Sequence, residues 1–107
     1  MSKLSNTSKT NGTHDHFIRI TATPDEMMLI AENNGLEYYD GNGDENNKSQ
    51  YDFDFENEDG VVFTAYDWKY YRILEGDEMI IWHIGAHSTK DAQIGYNELK
   101  KQLKLIR

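Results

Sequence analysis

Alternation of apolar and polar residues marks the strands of this chain. The clearest case is Tyr51-Asp52-Phe53-Asp54-Phe55, which places three aromatic rings opposite two carboxylates. Such a period of two is typical of a strand with one buried face. By the same pattern, strands are predicted at 17–22, 51–55, 61–68 and 79–84.

Two helices are predicted from their start signals. Thr23, Pro24 and Glu26 form a capping box with proline at the first helical position, and Gly35 ends this helix. Ser88 is the predicted cap of the second helix, whose apolar residues recur at spacings of three and four. These residues are Ala92, Tyr96, Leu99, Leu103 and Ile106.

The element order is therefore β-α-β-β-β-α, which indicates an α+β fold. We expect a four-stranded, mostly antiparallel sheet with both helices packed on one face. The opposite face would then be open and would carry Asp52 and Asp54. Residues 1–15 have almost nothing to bury, so they are predicted to form a disordered tail before a single domain at 16–107.

Charge is concentrated in one part of the chain. The net charge is −8, but residues 25–59 hold twelve acidic residues against one base, Lys48, a net charge of −11. A field of this sign attracts basic partners and repels nucleic acid and anionic membranes. The chain has no cysteine, no apolar run long enough to span a bilayer and no signal-peptide core, so a cytoplasmic protein is expected.

The acidic block suggests a binding surface for a protein with a basic site, such as a nucleic-acid-binding cleft. Aromatic side chains near a strand end would supply anchors, because interface hot spots are rich in tryptophan and tyrosine. The carboxylates predicted to carry the field are Asp40, Asp44, Glu45, Asp52, Asp54, Glu56 and Glu58. The predicted anchors are Trp68, Tyr70 and Tyr71.

A second interpretation is a binding site for a nucleotide-like small molecule. Trp68 would stack on a flat ring, and Lys69 and Arg72 would bind phosphate. His87 and Ser88 stand at a helix start, where free backbone N–H groups can bind an anion.

Catalytic and metal signatures are weak. Asp40, Asn42 and Asp44 match the first ligands of an EF-hand, but Glu45 replaces the required glycine and Tyr51 the bidentate glutamate. An Asp67–His87 acid–base pair would lack a nucleophile from any motif, so we expect a non-enzymatic protein without metal or cofactor. A domain this small is compatible with a homodimer.

Two segments resemble small accessory proteins of bacteriophages. These segments are Phe63–Lys69, continued by Tyr71-Arg72, and Ile81–Ser88. Those proteins have a "YDWK…R" strand, a "WHIG" strand and a final helix, and the resemblance covers about residues 16–104. It implies a phage accessory or host-takeover role, and because that group has no established activity it implies no catalytic residues.

Overall fold

The computed structural model describes residues 4–44, 46 and 48–107. Five strands and two helices are present in these residues, so the predicted α+β class is confirmed. Their order is β1 (His14–Ala22), α1 (Pro24–Asn33), β2 (Tyr39–Asp40), β3 (Tyr51–Glu56), β4 (Val62–Tyr66), β5 (Ile80–Ala86) and α2 (Thr89–Ile106).

The strands form one antiparallel sheet in the order β1-β5-β4-β3-β2. This is one strand more than the predicted four. The additional strand, β2, is only two residues long and pairs Tyr39 with Asp52 and Asp40 with Tyr51. Because β2 has no apolar alternation, backbone pairing with β3 is its only signal.

Side-chain caps begin both helices, as predicted. Thr23 accepts a hydrogen bond from the Glu26 N–H at 3.1 Å, and the Glu26 carboxylate accepts one from the Thr23 N–H at 2.9 Å. Ser88 accepts a bond from the Asp91 N–H at 3.1 Å. Gly35 has a φ of 68° just past the end of α1, a conformation that glycine adopts without steric cost.

One hydrophobic core lies between the sheet and the helices. Buried rings of β3, β4 and β5 share it with Met27 and Ile30 of α1 and with Leu99 and Leu103 of α2. Helix α2 approaches the sheet closely at Gly95, where an added Cβ would lie 2.6 Å from the ring of Phe63. The buried rings of β3, β4 and β5 are those of Phe53, Phe55, Phe63 and Trp82, and none of them has exposed surface.

The described part of the predicted tail lies against the domain. Leu4 is fully buried, and its N–H donates to Asn34 Oδ1 at 3.0 Å. The backbone of Ser5 bonds in both directions with that of Glu56, so it extends the sheet beside β3. Strand β1 then begins at His14, two residues before the predicted start of the domain. One apolar side chain and an unpaired strand edge are enough to hold this polar segment.

The sheet face that points away from the core carries Asp52 and Asp54, as expected. Across this open face, Asp52 pairs with Tyr66, Tyr66 with His83, and His83 with Arg19. Phe53, Ala65 and Ile84 form the neighbouring row and point into the core. Within the described ranges, neither helix is long and apolar enough to cross a membrane.

Candidate functional site

A groove of about 320 Å³ lies on the open face of the sheet. We call it the open-face groove. Side chains of β3 form one wall, β4 and β5 form the floor, and the segment before β1 closes one end. Its lining residues are Thr10, Thr13, His14, Ser49, Asp52, Asp54, Thr64, Tyr66, Trp68 and Gly85.

The course of the N-terminal segment explains how this end of the groove forms. After Ser5 pairs with Glu56, the Lys9 ammonium lies 3.4 Å from the Glu56 carboxylate. The Lys9 carbonyl contacts His87 Nε2 at 3.0 Å, and His14 then pairs with Ala86. The chain therefore crosses from the β3 side of the sheet to the β5 side and places Thr10 and Thr13 over the groove.

Asp52 is the most perturbed carboxyl group of the groove. Its Oδ1 is buried and accepts no hydrogen bond from the described residues. Burial raises the pKa of Asp52 to about 7, helped by the charge of Asp54, a hydrogen bond with that side chain and the charge of Asp67. Asp52 therefore holds its proton to a much higher pH than a solvated aspartate does.

No described cation neutralises the two groove carboxylates. Neither Asp52 nor Asp54 takes part in an ion pair within residues 4–44, 46 and 48–107. On the β1 side of the same face, by contrast, Arg19 donates to both oxygens of Asp15, at 2.7 and 2.9 Å. The negative charge of the open face is thus left uncompensated over β3.

Aromatic rings stand at the other end of the groove. The rings of Tyr66 and Trp68 meet edge to face with centroids 6.1 Å apart, and Tyr66 stacks on His83 at 5.5 Å. Burial lowers the pKa of His83, and the nearby charge of Arg19 lowers it further. Trp68 remains 42% exposed, and Lys69 Nζ lies 5.5 Å from the centroid of its ring.

The loop after β4 holds its aromatic residues in a strained backbone. Lys69 and Tyr71 have φ values of 59° and 52°, which residues other than glycine rarely adopt. Tyr71 is nevertheless 45% exposed, whereas the Tyr70 hydroxyl accepts a bond from the Ile81 N–H at 3.0 Å. Strain of this kind is concentrated at binding and catalytic sites in proteins. Of the predicted anchors, Trp68 and Tyr71 are therefore available to a partner, while Tyr70 supports the loop.

The other predicted acidic residues that the structure describes do not line the open-face groove. Glu56 stands at the end of β3 beside Lys9, Glu58 is exposed in the turn that leads to β4, and Asp40 pairs with Tyr51 on β2. Asp44 accepts a bond from the Asn46 N–H at 3.0 Å. The predicted position Glu45 lies outside the described residues.

The loop that resembles an EF-hand connects two distant parts of the chain through hydrogen bonds. Asp40 accepts a bond from the Asn42 N–H at 3.0 Å. The Asn42 side chain bonds the backbone of Leu74 in both directions, at 2.8 and 3.0 Å. Among the described residues there is no group of three or more histidine and acidic side chains that could hold a metal ion.

The residues of the predicted nucleotide site do not form one group: Lys69 contacts Trp68, but Arg72, His87 and Ser88 have other partners. Phe63 pairs with Ala86, so His87, the next residue, lies near the start of β4. Trp68 follows Phe63 by five residues, which corresponds to about 16 Å along an extended chain, beyond the other end of β4. Arg72 forms an ion pair with Glu78, and Ser88 is used as the cap of α2. Each part of this predicted site therefore has a different local role.

Asp67 is a structural carboxylate. It is fully buried and accepts hydrogen bonds from the backbone N–H groups of Gln50, at 2.8 and 2.9 Å, and of Tyr51, at 2.7 Å. Burial raises the pKa of Asp67 and these backbone bonds oppose the rise. Asp67 therefore fixes the start of β3 and lies far from His87.

Sequence reasoning missed the residues that give the groove its shape. Gly85 lines the groove, and Thr64 packs so closely against it that an added Cβ would lie 2.7 Å from Thr64 Oγ1. Thr64 and Tyr66 occupy alternate, outward-facing positions on β4, so their place on the open face could have been predicted from the alternation in sequence. The placement of Thr10 and Thr13 depends on long-range pairing that leaves no local signal.

Comparison of the chain with protein-family models, with curated proteins and with solved structures gives no match. The geometry of the open face is therefore the basis for the functional proposal.

Proposed function

We propose that this chain is a non-enzymatic binding protein that presents its open face to a basic site on another protein. In the phage setting that the sequence resemblance implies, it would act in the cytoplasm of the host as an inhibitor or as an acidic decoy of a nucleic-acid-binding protein. The observation that carries the proposal is the pair Asp52 and Asp54, held uncompensated on the open face beside exposed aromatic rings.

Electrostatics favours this function over ordinary solubility. Surface carboxylates that serve only solubility are solvated or paired, whereas Asp52 is half-buried and keeps an unbonded oxygen. Holding it there costs folding free energy, as the raised pKa indicates. Proteins retain such unfavourable groups where a function needs them.

The aromatic end of the groove supplies the apolar part of an interface. Trp68, which lines the groove, and Tyr71, in the loop that follows it, are both more than two-fifths exposed. Binding hot spots combine rigid aromatic anchors with a polar rim in this way. Charge would then set the rate and specificity of association, and the rings would supply affinity.

The test is capture of partners from a bacterial lysate by three tagged proteins. These are the wild type, Asp52→Lys/Asp54→Lys, and a control in which Glu32→Lys and Glu37→Lys change the net charge equally. Glu32 and Glu37 belong to the same acidic block and are exposed, but neither lines the open-face groove. An Asp52→Asn/Asp54→Asn protein provides a milder change for the case that the double lysine variant does not fold.

We expect a partner that binds the wild type and the control but is lost from both groove variants. For the purified partner, affinity should fall at least about tenfold in the groove variants. Its salt dependence should also flatten, because fewer charges remain to be screened. Equal binding by all of these proteins would show that the open face is not the interface.

A further inference from the structure

We propose that the open-face groove is a receptor for one arginine side chain, supplied by the basic partner. This inference rests on the proposed function and names the group that would enter the site. It is motivated by the combination, in one groove, of two carboxylates that no described cation neutralises and two aromatic rings.

The acceptors of the groove match the donors of a guanidinium. Asp52 and Asp54 occupy alternate positions of β3, about 6.6 Å apart along the strand. A guanidinium presents five N–H donors in a planar fork, so it can bond both carboxylates at once. The guanidinium would bond the carboxylate oxygens that line the groove, because Asp52 Oδ1 itself is buried.

The groove leaves room for this group. The space directly over Gly85 is filled by Thr64 Oγ1 and the Tyr66 ring, which an added Cβ would meet at 2.7 and 3.6 Å, so the room for a ligand lies beside these side chains in the groove. The volume of about 320 Å³ is at the small end of the range for ligand sites, roughly 300–1,000 Å³. A groove of this size accommodates a single long side chain rather than a helix or a strand.

Aromatic rings favour a planar cation over an ammonium. Tyr66 and Trp68 line the groove next to the carboxylates, and a guanidinium stacks on such rings while it bonds carboxylates. The Lys69 ammonium already lies 5.5 Å from the centroid of the Trp68 ring, so this ring makes a cation–π contact within the chain, and an entering guanidinium would have to displace that ammonium.

Binding should release a proton near neutral pH. The pKa of Asp52 is raised to about 7, and a bound cation would favour its ionised form. The arginine affinity should therefore increase as the pH rises, by about tenfold between pH 6 and pH 8, because the binding-competent fraction rises from about 0.09 to about 0.91.

Other titratable groups face Asp52 and enter this pH dependence. Asp54 on β3 and Asp67 after β4 raise its pKa by charge, and Tyr66 lies beside it on β4. Tyr39 pairs with it from β2, and His14 lines the far end of the groove. Beyond Tyr66, His83 is next to the Arg19–Asp15 pair.

The experiment is an NMR titration of the full chain with acetyl-arginine amide, with the uncharged isostere acetyl-citrulline amide as the matched control. We expect the arginine compound to shift the Trp68 indole signal and the amide signals of residues 52–54, 64–66 and 85. The citrulline compound should shift them at least about tenfold less at equal concentration, since it lacks the charge that two carboxylates recognise.

Four variants assign the effect to groups of the groove. Asp52→Asn and Asp54→Asn, which keep the shape of the side chain, should each weaken arginine binding at least about tenfold. Asp52→Asn should also abolish the pH dependence of any remaining binding. His14→Asn should keep the dependence if Asp52 is its source, and the exposed Asp77→Asn should bind like the wild type.

Two results would overturn the inference. One is equal binding of the citrulline compound, and the other is arginine binding that does not change between these pH values or after Asp52→Asn. Failure here can be separated from failure of the proposed function. If capture of the partner still depends on Asp52 and Asp54, the interface stands and only the single-arginine site is wrong.

Discussion

Replacement of Asp52 by asparagine should stabilise the fold. The folded protein holds this carboxyl half-buried, with one oxygen unbonded and the Asp54 carboxylate beside it. The unfolded chain exposes it to water, where its pKa returns to its ordinary value of 3.8. Asparagine has nearly the same shape, carries no charge and can donate a hydrogen bond to Asp54.

The size of the effect follows from the pKa difference. A rise from 3.8 to about 7 means that the folded state binds more protons than the unfolded state over this pH range. Stability therefore falls as the pH rises from about 4 to about 7 and is constant above that, as linkage requires. The full conversion is about 4 kcal/mol. Solvent screening of a partly exposed group reduces it to about 2 kcal/mol.

The assay is urea denaturation of the wild type, Asp52→Asn and Asp77→Asn at about pH 4 and about pH 8. At the higher pH, Asp52→Asn should exceed the wild type by about 2 kcal/mol in free energy of unfolding. At the lower pH the two should agree within about 0.5 kcal/mol, because the carboxyl is then protonated in the folded state. The exposed Asp77 variant should remain within about 0.5 kcal/mol of the wild type at both.

A variant that is equally or less stable than the wild type at about pH 8 would refute this reasoning. Asp52 would then be a favourable, solvated carboxylate, and the argument that the fold retains it for a partner would lose its basis. The difference between the two proteins is the decisive quantity, because titrating groups that do not interact with Asp52 affect both equally.

The remaining predictions concern the scaffold that positions the groove. Asp67→Asn should destabilise the protein by about 2–4 kcal/mol, because it replaces a charged acceptor of two buried backbone N–H groups; urea denaturation beside Asp77→Asn measures this. Gly95→Ala should cost about 1–3 kcal/mol despite the better helix propensity of alanine, since its methyl group would overlap the Phe63 ring. Thermal denaturation beside the exposed α2 variant Asn97→Ala checks it, and an increase in stability would contradict this packing.

Local signals predicted most of the fold. Caps at Thr23 and Ser88 and the alternation from Tyr51 to Phe55 act within a few residues, so they can be recognised in sequence. Strand β2 and the docking of Leu4 depend on pairing and burial against distant residues, which no local pattern records.

The candidate site shows the same division. Alternation correctly assigned Asp52 and Asp54 to the open face and Phe53 to the core. The predicted nucleotide site grouped Trp68, Lys69 and Arg72 with His87 and Ser88 because of their chemistry, and the antiparallel register separates Trp68 from His87. Asp67 is of a residue type that often acts in catalysis, but its buried hydrogen bonds to backbone N–H groups give it a structural role.

The most direct test of the central claim is an NMR titration of the wild type with an arginine-rich peptide. If the open face binds basic partners, amide shifts should be largest at residues 52–54, 64–66 and 85 and at the Trp68 indole. They should be small on α1 and in the turn at residues 57–60, although these also belong to the acidic block. Shifts spread evenly over the acidic block would contradict the account and would indicate general charge attraction instead.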